Sequence, residues 1–126
     1  MKIGIDEIDA MMGIVAGIVL LCVMKDFFLN STTLLLIVAW IFLVLAVLDI
    51  PYIFIDPIGF NLKILAWIHS VIDVVLAFSI ISHLMELKIQ YFTILGAYIF
   101  EPGVGMIAAI FLIVGNAIWI GMYPFI

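Results

Sequence analysis

Several near-uncharged apolar runs, each about 18 residues or longer, leave this chain few ways to fold. In hydrocarbon no water satisfies backbone N–H and C=O groups, so a span must be a helix or part of a closed barrel. The runs lack the period-two alternation of lipid-facing and lumen-facing residues that a barrel needs. The chain of 126 residues is 69% hydrophobic and only 10% charged, far short of the polar surface of a soluble domain. The expectation is an all-α integral membrane protein, a single transmembrane helical domain over residues 1–126, with the lipid bilayer as its first partner.

No hydrophilic stretch is long enough to fold as a soluble domain. Any chemistry must therefore lie within the membrane, at its edges or on a partner. The net charge is −5 and the cations are Lys2, Lys25, Lys63 and Lys88, which excludes a nucleic-acid partner and argues against a polybasic lipid-binding patch. Cys22 is the single cysteine, so there is no internal disulfide and no CxxC redox pair.

Residues 1–9 form a short acidic lead, with Asp6, Glu7 and Asp9 where a cleaved signal peptide would carry basic residues. These acids suit a helix N-terminus, so the first span, about 10–29, is expected to be retained. Within it Gly13 and Gly17 form a GxxxG, the small-residue pattern that lets a second helix approach closely. A polar turn from Asn30 to Thr33 follows, with Ser31 or Thr32 as N-cap of a span over about 33–50. Pro51 disfavours helix in the residue before it, so that span should end or kink there. Residues 49–61 combine two prolines, two aspartates and three aromatics and read as an interfacial connection. The third span covers about 62–86. Residues 89–100 are apolar but too short to cross, which suggests an interfacial or re-entrant segment. Glu101-Pro102 then reads as the start of a final span over about 103–123. The alternative, one helix from Tyr91 to Tyr123, would be ~50 Å long and overshoot the bilayer. Four spans put both termini on one side. Lys2 and Lys63 then face Lys25 and Lys88 across the membrane, so the positive-inside count is a tie and the orientation stays open.

The third span holds His69, Asp73 and His83. An aspartate at a helix centre costs roughly 2.5–3.5 kcal/mol on insertion scales, so such residues mark function or a compensating partner. His69 and Asp73 are four apart and share a helix face. Asp49 and Asn116 fall at similar depth on the neighbouring spans, so Asp49, His69, Asp73 and Asn116 are the candidate ion or proton path, or an interhelical polar cluster. His83, Glu86 and Glu101 are candidates for a second polar group at the opposite edge. Gly13 and Gly17 are candidates for helix packing.

Four readings of the His69–Asp73 pair compete. It could be a proton or cation relay, half of a metal site that a partner completes, or a haem-ligating position through His69 or His83. It could also be a hydrogen-bonded pair that joins helices. No complete catalytic constellation is present, and no cofactor is specified. The leading functional expectation is a small, mainly structural subunit of a larger membrane complex, an oxidoreductase or ion-translocating assembly, not catalytic on its own. The alternative is a homo-oligomeric proton- or cation-coupled transporter or channel, and the third a metal- or haem-bearing redox module. Other membrane subunits or self-association are the expected protein partners.

Overall fold

The computed structural model describes residues 5–25, 31–55 and 60–122. Among these every regular element is helical: α1 (Ile5–Lys25), α2 (Thr32–Ile55), α3 (Phe60–Leu84), α4 (Gln90–Ile99), α5 (Pro102–Ile110), a π-helical turn (Phe111–Gly115) and α6 (Asn116–Met122). The last three run on as one final span. Four stretches are long and apolar enough to cross a membrane by length and composition: Glu7–Lys25, Thr32–Pro51, Lys63–Leu84 and Gly103–Gly121. The chain is thus an all-α, multi-pass helical bundle with a short separate helix before its last span. Asn30, the middle of the 49–61 connection and the last residues expected in the first and final spans lie outside the described residues.

Local signals set most of the helix ends. Ser31 caps α2, its Oγ accepting the Leu34 N–H at 3.2 Å. Of the two outcomes expected at Pro51, an end or a kink, the end does not occur: helix α2 continues to Ile55 with the proline inside it. A proline removes one i→i−4 hydrogen bond and crowds the preceding turn, which a helix in apolar surroundings can absorb near its end. The continuation keeps Asp49 within the helix. Helix α3 stops at a reversal in which Glu86 takes a left-handed conformation, φ 56°. Its N–H donates to the His83 carbonyl at 3.3 Å, and Leu87 N–H reaches back to the Ser82 carbonyl at 2.9 Å. That pair of bonds is the Schellman arrangement, here with Glu where Gly is usual.

Thr93 ties the link into α4: its Oγ1 accepts the Ile89 N–H at 3.0 Å and lies 2.9 Å from both the Leu87 and Ile89 carbonyls as donor. Glu101 is extended ahead of Pro102 at the first helical position, so α4 and the final span are separate helices. Helix α4 lies against the end of α3. A Cβ at Gly96 would come within 2.6 Å of the Ser79 carbonyl, and Phe92 meets Phe78 edge-on at 4.6 Å.

In the bundle α1 packs on α2 and on the final span, and α2 packs on α3. Alanines 16, 39, 46, 77 and 109 are buried, so backbones approach closely. The half of the bundle away from the termini is filled by apolar side chains such as Leu20, Leu35, Ile80 and Ile81, all fully buried. The two buried serines there, Ser79 and Ser82, carry no charge. Of the buried carboxylates among the described residues, Asp9 and Asp49 lie toward the terminal side and Asp73 lies at the middle of α3.

Candidate functional site

Helix α3 supplies the centre of the site. Asp73 is 0% exposed, and His69, one turn earlier, holds its Nδ1 3.3 Å from Asp73 Oδ2. The distance is that of an ion pair, while the alignment falls short of a hydrogen bond, since neither Asp73 oxygen has a hydrogen-bond partner. Helix α2 brings Asp49 to the same interior. Ser70 Oγ donates to Asp49 Oδ2 at 3.4 Å, a long bond between two buried side chains. Asp49 and Asp73 are close enough to interact electrostatically across the α2–α3 interface. Asp49 is therefore an interior residue, because α2 runs on past Pro51.

The final span meets His69 through its π turn. Phe111 and Trp119 flank the imidazole, with ring centroids 5.5 Å and 6.0 Å away. Gly115 lies beneath it, and a Cβ there would sit 3.0 Å from His69 Nε2. On a regular α-helix, at about 100° per residue, Phe111 and Trp119 would point about 80° apart. A π turn inserts one residue without the matching rotation. The two then behave as if seven apart and fall within about 20° of each other. The bulge thus aligns Phe111, Gly115 and Trp119 as one stripe on His69.

The same bulge directs Asn116 elsewhere. Its Nδ2 donates to the Leu112 carbonyl at 2.7 Å, and its amide fills the space beside Gly13. A Cβ at Gly13 would lie 2.6 Å from Asn116 Cγ, and one at Gly17 would lie 2.7 Å from Ile113 Cγ1 and 2.9 Å from the Ala109 carbonyl. The GxxxG face of α1 is where the final span crosses it. Asn116 therefore sits within the polar half of the bundle without bonding Asp73.

The sequence marks Asp9 only by its place in an acidic N-terminal lead. It is 4% exposed, on the inner face of α1. Its signal is the stripe it heads: Asp9, Gly13, Ala16, Gly17 and Leu20 recur at helical spacing, and all are buried. Ser70 carried the weaker signal of standing three residues before Asp73.

The other edge does not assemble a comparable group. His83 is exposed and stacks on Phe100, with ring centroids 4.4 Å apart and planes inclined by 20°. Glu86 serves in the reversal after α3, and Glu101 is exposed at the start of α5. Among the described residues no three His, Cys, Asp or Glu side chains converge as metal ligands. His69 Nε2, the atom a haem iron would take, is buried against Gly115.

What the arrangement can do chemically follows from its contents. Carboxylates on two helices and one imidazole share a low-dielectric interior where any net charge is costly. Such a group changes charge by binding and releasing protons, and Ser70 links its two helices. The chain matches no known protein family, no curated protein and no solved structure.

Proposed function

We propose that this protein is a small membrane subunit whose interior exchanges protons with water on the side of its termini, in the service of a proton-coupled membrane assembly. One observation carries the reading: Asp73, fully buried at the middle of α3, faces His69 on its own helix and Asp49 on α2. A purely structural subunit would gain more from apolar side chains at these positions, because buried ion pairs are commonly no more stabilising than well-packed hydrophobic residues. The apolar filling of the opposite half speaks against a water-filled path through a single copy. It therefore favours a subunit over a free-standing channel. Whether the assembly contains other subunits or further copies of this chain is a separate measurement, made by native mass spectrometry of the gently extracted protein.

The test is proton uptake. The purified protein is reconstituted into vesicles, the outside pH is stepped, and bound protons are counted with a pH-sensitive dye. The expected result is rapid uptake that Asp73→Asn removes and that an exposed control, Glu101→Gln, leaves unchanged. Uptake that Asp73→Asn does not alter would sink the proposal.

A further inference from the structure

Helices α3 and the final span do not close on each other at the level of His69. Between them lies an open groove of about 310 Å³, walled by Leu65, Ile68 and Ile72 from α3 and by Phe111, Ile118 and Trp119 from the final span, with His69 at its base. The groove opens on the outer face of the bundle, where Leu65, Ile68 and Ile118 are exposed. In a membrane that face meets lipid. The imidazole is 15% exposed there, while Asp73 behind it is wholly covered. His69 is thus the one side chain that touches both the polar interior and the lipid-facing surface through this groove.

From this geometry we infer that the groove is a binding site for a neutral, lipid-soluble ring compound of the quinone class, which approaches His69 from the bilayer. It rests on the proton-exchange reading only in setting a hydrogen-bonding ligand beside the His69–Asp73 pair; the binding itself moves neither electrons nor protons, and its geometry stands apart from that reading. Three observations select the occupant. First, size: one turn of a helix about 10 Å across and 5.4 Å tall displaces roughly 400 Å³. The groove holds less than that, yet reaches the lower end of small-molecule sites, about 300–1,000 Å³. Second, charge: none of the walls is cationic and a carboxyl group stands behind the imidazole, so phosphate headgroups and fatty-acid carboxylates find no counter-charge. Third, shape and polarity: Phe111 and Trp119, tilted on either side of the imidazole, line the groove with aromatic surface that suits a ring compound. His69 Nε2 has no hydrogen-bond partner and is the polar atom a ring carbonyl or hydroxyl would satisfy. With Nδ1 turned toward Asp73, Nε2 accepts from a hydroxyl when the ring is neutral and donates to a carbonyl when it is protonated. Because Nε2 is covered by Gly115, the proposed contact requires the imidazole to turn toward the groove as the ligand enters, loosening the 3.3 Å approach of Nδ1 to Asp73.

Trp119 lines the groove and reports on it. In a Trp40→Phe/Trp67→Phe background it becomes the sole tryptophan. The protein in lipid nanodiscs is titrated with para-benzoquinone carrying a decyl tail, and Trp119 emission is followed. The expected result is saturable quenching that decanoate does not displace. His69→Leu should weaken the apparent affinity at least tenfold, and so should Ile118→Phe, which narrows the groove without touching His69. Quenching that rises linearly and equally in all variants means partitioning into lipid only and overturns the inference. Displacement by decanoate overturns the ligand class. Asp73→Asn should keep quinone binding while losing proton uptake. Lost uptake with intact binding is the expected pattern, whereas unchanged uptake with intact binding defeats only the proton-exchange reading. Normal uptake without saturable binding defeats only this inference.

Discussion

Gly13→Ala adds one methyl group where Asn116 already stands. The new Cβ would lie 2.6 Å from Asn116 Cγ and 2.9 Å from its Oδ1, with Nδ2 nearer still. Helix propensity alone favours alanine here by about 1 kcal/mol. Overpacking a tight site costs about 1–3 kcal/mol. Asn116 cannot step aside freely, because its Nδ2 is held by the Leu112 carbonyl at 2.7 Å. Stranding that buried amide would cost about 1–3 kcal/mol. Part of each penalty, less the propensity gain, leaves a net destabilisation of about 1–3 kcal/mol. The assay is a double-mutant cycle by reversible unfolding in mixed micelles, with Asn116→Ala as the partner change. Once Asn116 is shortened the clash is gone, so Gly13→Ala should become neutral or slightly stabilising. The expected coupling is about 1–3 kcal/mol, well above the ~0.5 kcal/mol at which distant sites simply add. Gly121→Ala, where a Cβ meets nothing within 4 Å, is the control and should be neutral or mildly stabilising. If the Gly13 penalty persists unchanged beside Asn116→Ala, the close approach of α1 and the final span is not what that glycine serves.

Three further outcomes are expected from the helix ends. Glu86→Gly should stabilise the protein by about 1 kcal/mol in the same unfolding assay, because a left-handed residue with a side chain costs about 1–2 kcal/mol that glycine avoids. Ser31→Ala should cost about 1 kcal/mol by removing the cap from the Leu34 N–H, and Ser31→Asp should largely restore it. Pro51→Ala should stabilise α2 by about 1–3 kcal/mol by giving position 51 an N–H for the helix ladder, visible as slowed hydrogen exchange around it.

The spans were legible in the sequence because their signal is collective: an apolar run of this length has no other stable home. Breaks were less legible because they are local preferences that surroundings can overrule. Glu101-Pro102 announced a helix start and behaves as one, while Pro51 announced an end or a kink and is carried through without an end. The difference is position, since a first-turn proline lacks only an N–H that would be unpaired anyway. In the site, the four-residue spacing that joins His69 to Asp73 can be read directly. The surroundings of His69 cannot. They depend on a π turn in Phe-Leu-Ile-Val-Gly, a stretch with no proline or polar residue to mark it. Without that turn the rotation of Asn116 and Trp119 is misjudged by about one residue, or 100°. That is why Asn116 could be placed at the right depth but not on its true neighbour, Gly13. Asp9 was readable in principle, because it continues the glycine stripe of α1, but a charge near a helix start has an easier explanation at the surface.

The placing of the buried carboxylates, none beyond the middle of the bundle among the described residues, also has an electrical consequence. In a membrane holding a voltage, the potential falls mainly across the apolar thickness, and a full crossing is worth about 2.3 kcal/mol per charge per 100 mV. Asp73 stands near the midpoint of α3 with dry packing beyond it, and on the proposed reading protons reach it from the side of the termini. A proton that arrives there has crossed about half of that drop, or about 1 kcal/mol per 100 mV. Its occupancy would therefore shift roughly five- to sevenfold per 100 mV with no through-current at all. In this bundle voltage would act as an extra pH, applied from the side of the termini.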